Sequence, residues 1–214
     1  MSDCCDPAPY RRFFDSKEAK RRLKRYRRRG LDKMATRLVS YLRARGLEGR
    51  TVLEVGGGIG DLQVELLKSG AARSVNVELS SEYEGEATDL SEAEEVSDRI
   101  DRRVGDFVEQ QDMVEPADLV VLNRVICCYP WMERIMDASV AKTGWLLVVS
   151  VPRDRIISRL MVRVGNWMIA LGGCGFRSYV HSVAEIEAIA AGAGLTPVFS
   201  EQGLVWRGLV FERL

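Results

Sequence analysis

"TVLEVGGGIGD", residues 51–61, is the stretch on which the reading of this 214-residue chain turns. Apart from Glu54, Thr51–Val55 is β-branched or apolar, as a buried strand is. Glycines at 56, 57, 58 and 60 follow, and Asp61 opens a segment with Leu62, Leu66 and Leu67 on one helical face. A strand, a glycine turn and a helix in that order bring backbone close to a ligand, usually a nucleotide. The fingerprint G-x-G-x-x-G for a dinucleotide fails here. Gly56 and Gly58 fit it, but Asp61 stands at the third glycine position. A carboxylate at a helix start repels a pyrophosphate. No lysine follows in the manner of a phosphate-binding loop. The pattern present is E-x-G-x-G-x-G, from Glu54 through Gly56, Gly58 and Gly60.

Outward from this turn, the pattern predicts helices over Ser16–Gly30 and Asp32–Arg45, ahead of the first strand. Strand and helix then alternate. A helix is expected at Asp61–Ser69 and strands at Ser74–Leu79, Arg103–Val104 and Asp118–Asn123. A helix at Pro130–Lys142 and a strand at Trp145–Val151 follow. Residues 80–101 are polar and acidic, with helical pieces. Arg155–Leu171 reads as a mostly apolar helix, ended by "GGCGF". Ser182–Ala193 begins with a capping box, Ser182 and Glu185. Strands at Thr196–Ser200 and Val205–Glu212, joined by a short turn, are expected to pair antiparallel. Alternation of this kind means an α/β fold, a mostly parallel sheet covered on both faces. We expect a helical cap over residues 1–48 and one domain over 49–214. Ligands of such sheets sit at the carboxyl ends of strands, where the strand order reverses.

The strand ends carry polar residues in sequence. An acidic group at Glu54 suits a ligand with an ammonium group. S-adenosyl-L-methionine carries an ammonium, a sulfonium and no phosphate, and must lie against glycine backbone. Glu78 stands 22 residues after Gly56 and suits the two ribose hydroxyls. Asp106 suits an adenine amino group, with Phe107 or Val104 against the ring. Asn123 ends the fourth strand on the methyl-donor side. In these residues the chain resembles the class I S-adenosylmethionine-dependent methyltransferases over roughly residues 50–214. The resemblance implies a Rossmann-like sheet of seven strands in the order 3-2-1-4-5-7-6 and S-adenosyl-L-methionine as cofactor. "FFDSKEAKRRLKRYRRRG", "CCYP", the apolar helix and "FRSYVHS" further resemble the magnesium-protoporphyrin O-methyltransferase branch. That branch tends to place a histidine where Cys128 stands here.

Apolar residues make up 46% of the chain and charged residues 29%, the balance of a folded soluble protein. No signal-peptide core opens the sequence, and five cysteines form no disulfide ladder, so a reduced, cytoplasmic protein is expected. The adjacent pairs Cys4–Cys5 and Cys127–Cys128 suit no metal, and no metal ligand set is expected. Formal net charge is zero, yet residues 1–30 hold eleven basic and four acidic residues. This block reads as a solvated helix rather than a nucleic-acid arm, since no aromatic ladder accompanies it. Nucleic acid is therefore not an expected partner; membrane-surface contact stays open.

On the acceptor side, His181, the only histidine, offers a base or a loop-fixing hydrogen bond. Tyr129 offers a pocket wall or a packing contact. Tyr26 offers part of a lid over the cofactor, or a surface ring. The apolar helix at 155–171 suits core or acceptor lid better than membrane surface. Arg124, Arg153, Arg155, Arg159 and Arg163 are candidates to meet an acidic group on the acceptor. The expected function is methyl transfer to a small molecule, to a carboxylate or hydroxyl held in line. The alternatives are a binding module without catalysis, or an RNA methyltransferase.

Overall fold

The computed structural model describes residues 7–214; Cys4 and Cys5 lie outside the described residues. Three helices come first: α1 (Pro7–Phe13), α2 (Ser16–Arg29) and α3 (Lys33–Arg45). Then come β1 (Thr51–Val55), α4 (Asp61–Lys68), β2 (Arg73–Glu78), α5 (Glu84–Ala93), β3 (Ile100–Val104), α6 (Phe107–Gln110) and β4 (Ala117–Asn123). The chain ends with α7 (Met132–Lys142), β5 (Thr143–Pro152), α8 (Ile156–Leu171), α9 (Val183–Gly192), β6 (Leu195–Gln202) and β7 (Trp206–Arg213).

The strands form one sheet in the order β3-β2-β1-β4-β5-β7-β6. Every pairing is parallel except the two made by β7, which runs antiparallel to β5 and β6. This Rossmann-like order is the one the family resemblance implied. β1, β4 and β5 sit in the middle and bury both faces, which is why "DLVVLN" and "WLLVVSV" read as nearly unbroken apolar runs. From β1 the chain builds outward through β2 and β3, then returns to the other side of β1 for β4. That reversal opens a crevice at the carboxyl ends of β1 and β4.

Each face of the sheet has its own apolar layer. One joins Leu53, Val55, Val120 and Leu147 to α7 and α9. The other joins Val52, Val121 and Val148 to Leu38 and Leu42 of α3, and to Leu23 and Tyr26 of α2. Full burial of a leucine side chain contributes roughly 1.5–3 kcal/mol, so these contacts fasten the N-terminal helices to the sheet.

Several local expectations shift by a residue or more. Asp15, just ahead of the expected helix, caps α2: its carboxylate accepts from the Glu18 N–H at 2.8 Å. Residues 80–101 resolve into α5 between two short 3-10 turns. The turn Ile126–Cys128 and the residues after it delay α7 to Met132. α1 was not legible, because its seven residues offer too few turns for a periodic signal. α8 buries no residue, so the core reading of that helix does not hold. Among the described residues, no helix is long and apolar enough to cross a membrane.

Candidate functional site

The loops after β1, β2, β3 and β4, together with α1 and α2, enclose a cavity of about 350 Å³, within the size range of small-ligand sites. Its floor is the glycine turn. Gly56 and Gly58 have φ of 64° and 61°, the left-handed region that glycine enters without penalty. A Cβ at Gly56 would stand 2.7 Å from Val125 Cγ2, and one at Gly58 would stand 2.7 Å from Arg22 Nη1. Both glycines line the cavity.

Glu78, at the end of β2, is buried beside them. Its Oε2 accepts from Gly58 N at 2.8 Å and its Oε1 from Ser80 N at 2.9 Å. These bonds hold the carboxylate at the cavity wall and leave further lone pairs for a ligand. Asp106 caps α6, with Oδ1 accepting from Val108 N at 2.8 Å. Its Oδ2 accepts from the Tyr129 hydroxyl at 3.3 Å. Phe107 and Asn123 also line the cavity, Asn123 with its Oδ1 accepting from Ser150 Oγ at 2.6 Å. Gly56, Gly58, Glu78, Asp106, Phe107, Asn123 and Tyr129 are thus brought together around one space.

Four sequence candidates go elsewhere. Glu54 turns under the glycine loop, because its side chain leaves the strand on the face opposite Val55, which lines the cavity. It accepts from Asn76 Nδ2 at 3.3 Å, and burial, with Asp61 nearby, pushes its carboxyl up to about 8. The expectation that Glu54 faces an ammonium group is corrected accordingly. Gly60 lies at the N-cap of α4 in left-handed geometry and shapes the turn without lining the cavity. Tyr26 packs in the apolar layer beneath α2, and its hydroxyl donates to Glu65 Oε1 at 2.5 Å. Burial and that bond hold its phenol well above the ordinary range. It is a fastening of α2 to α4, not a lid over the cavity. His181 Nε2 lies 2.9 Å from the Tyr129 carbonyl, its ring stacked on Tyr179. It lines a separate open groove under α8, and the structure does not bring it to this cavity.

The site also holds residues that sequence reasoning missed. Glu18, Arg22 and Arg25, at i, i+4 and i+7 of α2, all face the cavity. They lie beside the buried stripe Ala19, Leu23 and Tyr26, and that two-faced spacing was the available signal. Burial opposes the charge of Arg22, but Asp61, Tyr83 and Glu78 around it hold the guanidinium firmly protonated. Asp61, which disfavoured a pyrophosphate in the sequence, therefore has a cationic neighbour in the fold. Arg124 lines the same wall at a φ of 63°, an unusual value for a side-chain-bearing residue. It pairs with Asp32 at 2.8 Å and lies over the Trp206 ring, 4.6 Å from its centre. Burial lowers its affinity for the proton, and its Nε has no partner among the described residues. Arg153, by contrast, is used in the β6–β7 turn, donating to the Gly203 carbonyl and Gln202. Arg155, at the N-cap of α8, and Arg159 and Arg163 on the helix stand away from this cavity.

Aromatic rings close the rest. Tyr10, Phe13 and Phe14 come from the N-terminal segment, Phe176 from the connection after α8, and Tyr83 from the turn after β2. Phe13 stacks on Phe176 at 4.2 Å, and Tyr10 donates to the Cys128 carbonyl at 2.5 Å. Burial pushes the Tyr83 phenol up to about 12. Cys127 and Cys128 also line the wall, with sulfurs 3.8 Å apart. Among the described residues, no group of three or more His, Cys, Asp or Glu is placed to hold a metal ion.

A sheet of this order, with a glycine turn and a strand-end carboxylate at its switch point, defines a class I S-adenosylmethionine-dependent methyltransferase. The chain belongs to the methyltransferase-domain family, whose model matches residues 23–199 and whose members use S-adenosylmethionine. Among solved structures it is similar to magnesium protoporphyrin IX methyltransferase from Synechocystis PCC 6803 with SAH bound. That match has 19% identity and a TM-score of 0.77, covering 98% of this chain and 100% of that one. It is also similar to an O-methyltransferase family 2 protein from Planctomyces limnophilus in complex with apigenin (19% identity, TM-score 0.61, 87% and 63% covered). A putative RNA methyltransferase from Pyrococcus horikoshii matches at 14% identity and a TM-score of 0.60, covering 85% of this chain and 82% of that one. No curated protein sequence matches the chain.

Proposed function

We propose that this protein methylates a small, largely apolar molecule that carries an acidic group. The observation that carries this reading is one cavity walled by aromatic rings and entered by three arginines, Arg22, Arg25 and Arg124. Rings from the N-terminal segment, the turn after β2 and the connection after α8 suit a planar apolar body. The guanidinium groups suit a carboxylate, bidentate where geometry permits. Magnesium protoporphyrin is one molecule of this kind, and Cys128 in the place of that branch's histidine separates the class from the particular substrate.

For the cofactor, the residues present fit S-adenosylmethionine. Gly56 and Gly58 give the close backbone, Glu78 the ribose contact, and Asp106 with Phe107 the adenine side. The bound cofactor supplies a methyl group on a sulfonium, already a good leaving group. What remains for the protein is alignment and exclusion of water. Asn123 and Tyr129 stand where the wall passes from β4 toward the acceptor side. A carboxylate acceptor needs no base, which agrees with a cavity that His181 does not enter. We read residues 1–48 as a cap on a domain spanning 49–214, and we place the protein in the cytoplasm.

The test incubates purified protein and methyl-labelled cofactor with magnesium protoporphyrin, with a small-molecule extract, and with bulk tRNA. Label in an acidic, extractable molecule is expected. Label only in tRNA overturns the acceptor class. Label in the extract but not in the porphyrin keeps the class and discards that substrate.

A further inference from the structure

α8 has an unusual surface. Its inward side is narrow: Ser158, Val162, Gly165, Asn166 and Ile169 are partly covered. Asn166 ties it to the 177–182 loop, exchanging hydrogen bonds at 2.8 Å with the Ser178 N–H and carbonyl. The apolar residues point the other way, into solvent. Ile156 is 89% exposed, Leu160 57%, Trp167 63% and Leu171 69%, and Ile157, Met161, Val164 and Met168 are exposed with them. At 100° per residue these eight side chains fill an arc of about 140°, opposite the inward face. Leu204, 92% exposed, sits in the β6–β7 turn that Arg153 fastens to the start of the same helix.

The charges beside this face are mostly of one sign, Asp154 at the helix start and Glu185 across the groove being the acidic neighbours. Residues 155–184 contain four arginines and no aspartate or glutamate. Arg159 and Arg163 lie along one border of the apolar arc. Arg159 pairs with Asp154 at the helix start, while Arg155 and Arg163 make no ion pair among the described residues. A face of Ile, Leu, Met and Trp on a helix whose own charged residues are all arginine is the composition of a helix that lies in a lipid interface. A second copy set face to face would bring the same arginine border, with its Asp154 already held by Arg159.

We propose that α8, with Leu204, docks on an anionic phospholipid surface. Trp167 and the aliphatic side chains enter the boundary between headgroups and acyl chains, and the arginines meet lipid phosphates. The chain after α8 runs within a few residues to Phe176 in the cavity wall. The proposal stands apart from the choice of methyl acceptor, since it rests only on the outward face of α8.

The test is flotation of the full-length protein with phosphatidylglycerol vesicles and with phosphatidylcholine vesicles, at low and high salt. Binding to phosphatidylglycerol is expected, weakened by salt, with a blue shift of emission that the Trp167→Phe variant loses. The double change Leu160→Glu with Val164→Glu is expected to lower partition about tenfold or more. These positions are exposed, and retained stabilisation by SAH confirms that the variant is folded. Three results overturn the proposal. One is no binding to phosphatidylglycerol vesicles. A second is binding that the double variant leaves unchanged. The third is self-association in sedimentation that the double variant abolishes, which assigns the face to a second copy.

Discussion

Glu54 and Glu78 end neighbouring parallel strands, and the difference between them shows what a sequence pattern can and cannot settle. Both were legible as carboxylates at the switch point. Which way each points was not, because direction depends on strand phase and on the path of the glycine turn. Glu78 reaches the cavity wall and orders the turn through Gly58 N and Ser80 N. Glu78→Ala is expected to weaken S-adenosylmethionine binding by about 1–3 kcal/mol, the scale of a lost charged hydrogen-bond acceptor. Calorimetry checks it, and an unchanged affinity takes Glu78 out of the site. Glu54 instead is sealed beneath the loop, where burial raises its pKa from 4.5 to about 8. The folded state therefore holds a proton that the unfolded chain releases above about 4.5. Stability from this group is fully present below that pH and falls as pH rises toward 8. At about 1.4 kcal/mol per pH unit the loss is on the order of a few kcal/mol. Glu54→Gln keeps the neutral shape and should flatten this decline. Melting temperatures across pH 5 to 9 test it; an unchanged slope would assign the pH dependence to other groups.

At the scale of elements, the sequence marked α2 and α3 as helices but not their docking, which tertiary contacts alone determine. The stripe Ala19, Leu23 and Tyr26 binds α2 to α4 and the sheet, and the adjoining row Glu18, Arg22 and Arg25 becomes cavity wall. The basic block is thus only partly a solvated face. α8 shows the converse: its apolar period was plain, and its exposure was not, because periodicity reports a face without naming what covers it. The position of α2 makes a direct prediction. A ligand held against Arg22 and Gly58 bridges α2 to the glycine turn, so local opening of α2 must break that contact as well. Amide exchange over residues 16–30 should slow when S-adenosylhomocysteine is added. Unchanged exchange, with binding confirmed by calorimetry, leaves α2 a static wall uncoupled from the cofactor.

Across the whole molecule, the question is whether residues 1–48 and 49–214 respond as one body. Leu23 and Tyr26 of α2 and Leu38 and Leu42 of α3 share an apolar layer with Val52, Val121 and Val148 of the central strands. Tyr10 and Phe14 also reach across the cavity to Cys128 and Ser80. With the helices sharing a layer with the sheet, neither part can open without exposing apolar surface of the other. Unfolding should then be a single cooperative transition. In the site proposed above, cofactor product binds where the two parts meet, so it should stabilise both. At a free concentration of 100 times its dissociation constant, a ligand of the folded state adds about 2.7 kcal/mol. For a chain of this size each kcal/mol raises the melting temperature by about 2–4 °C. Scanning calorimetry with S-adenosylhomocysteine at that excess should show one peak displaced upward by about 5–10 °C. Two peaks, only one of them moved by the ligand, would show that the N-terminal helices melt apart from the sheet and contribute nothing to the bound state.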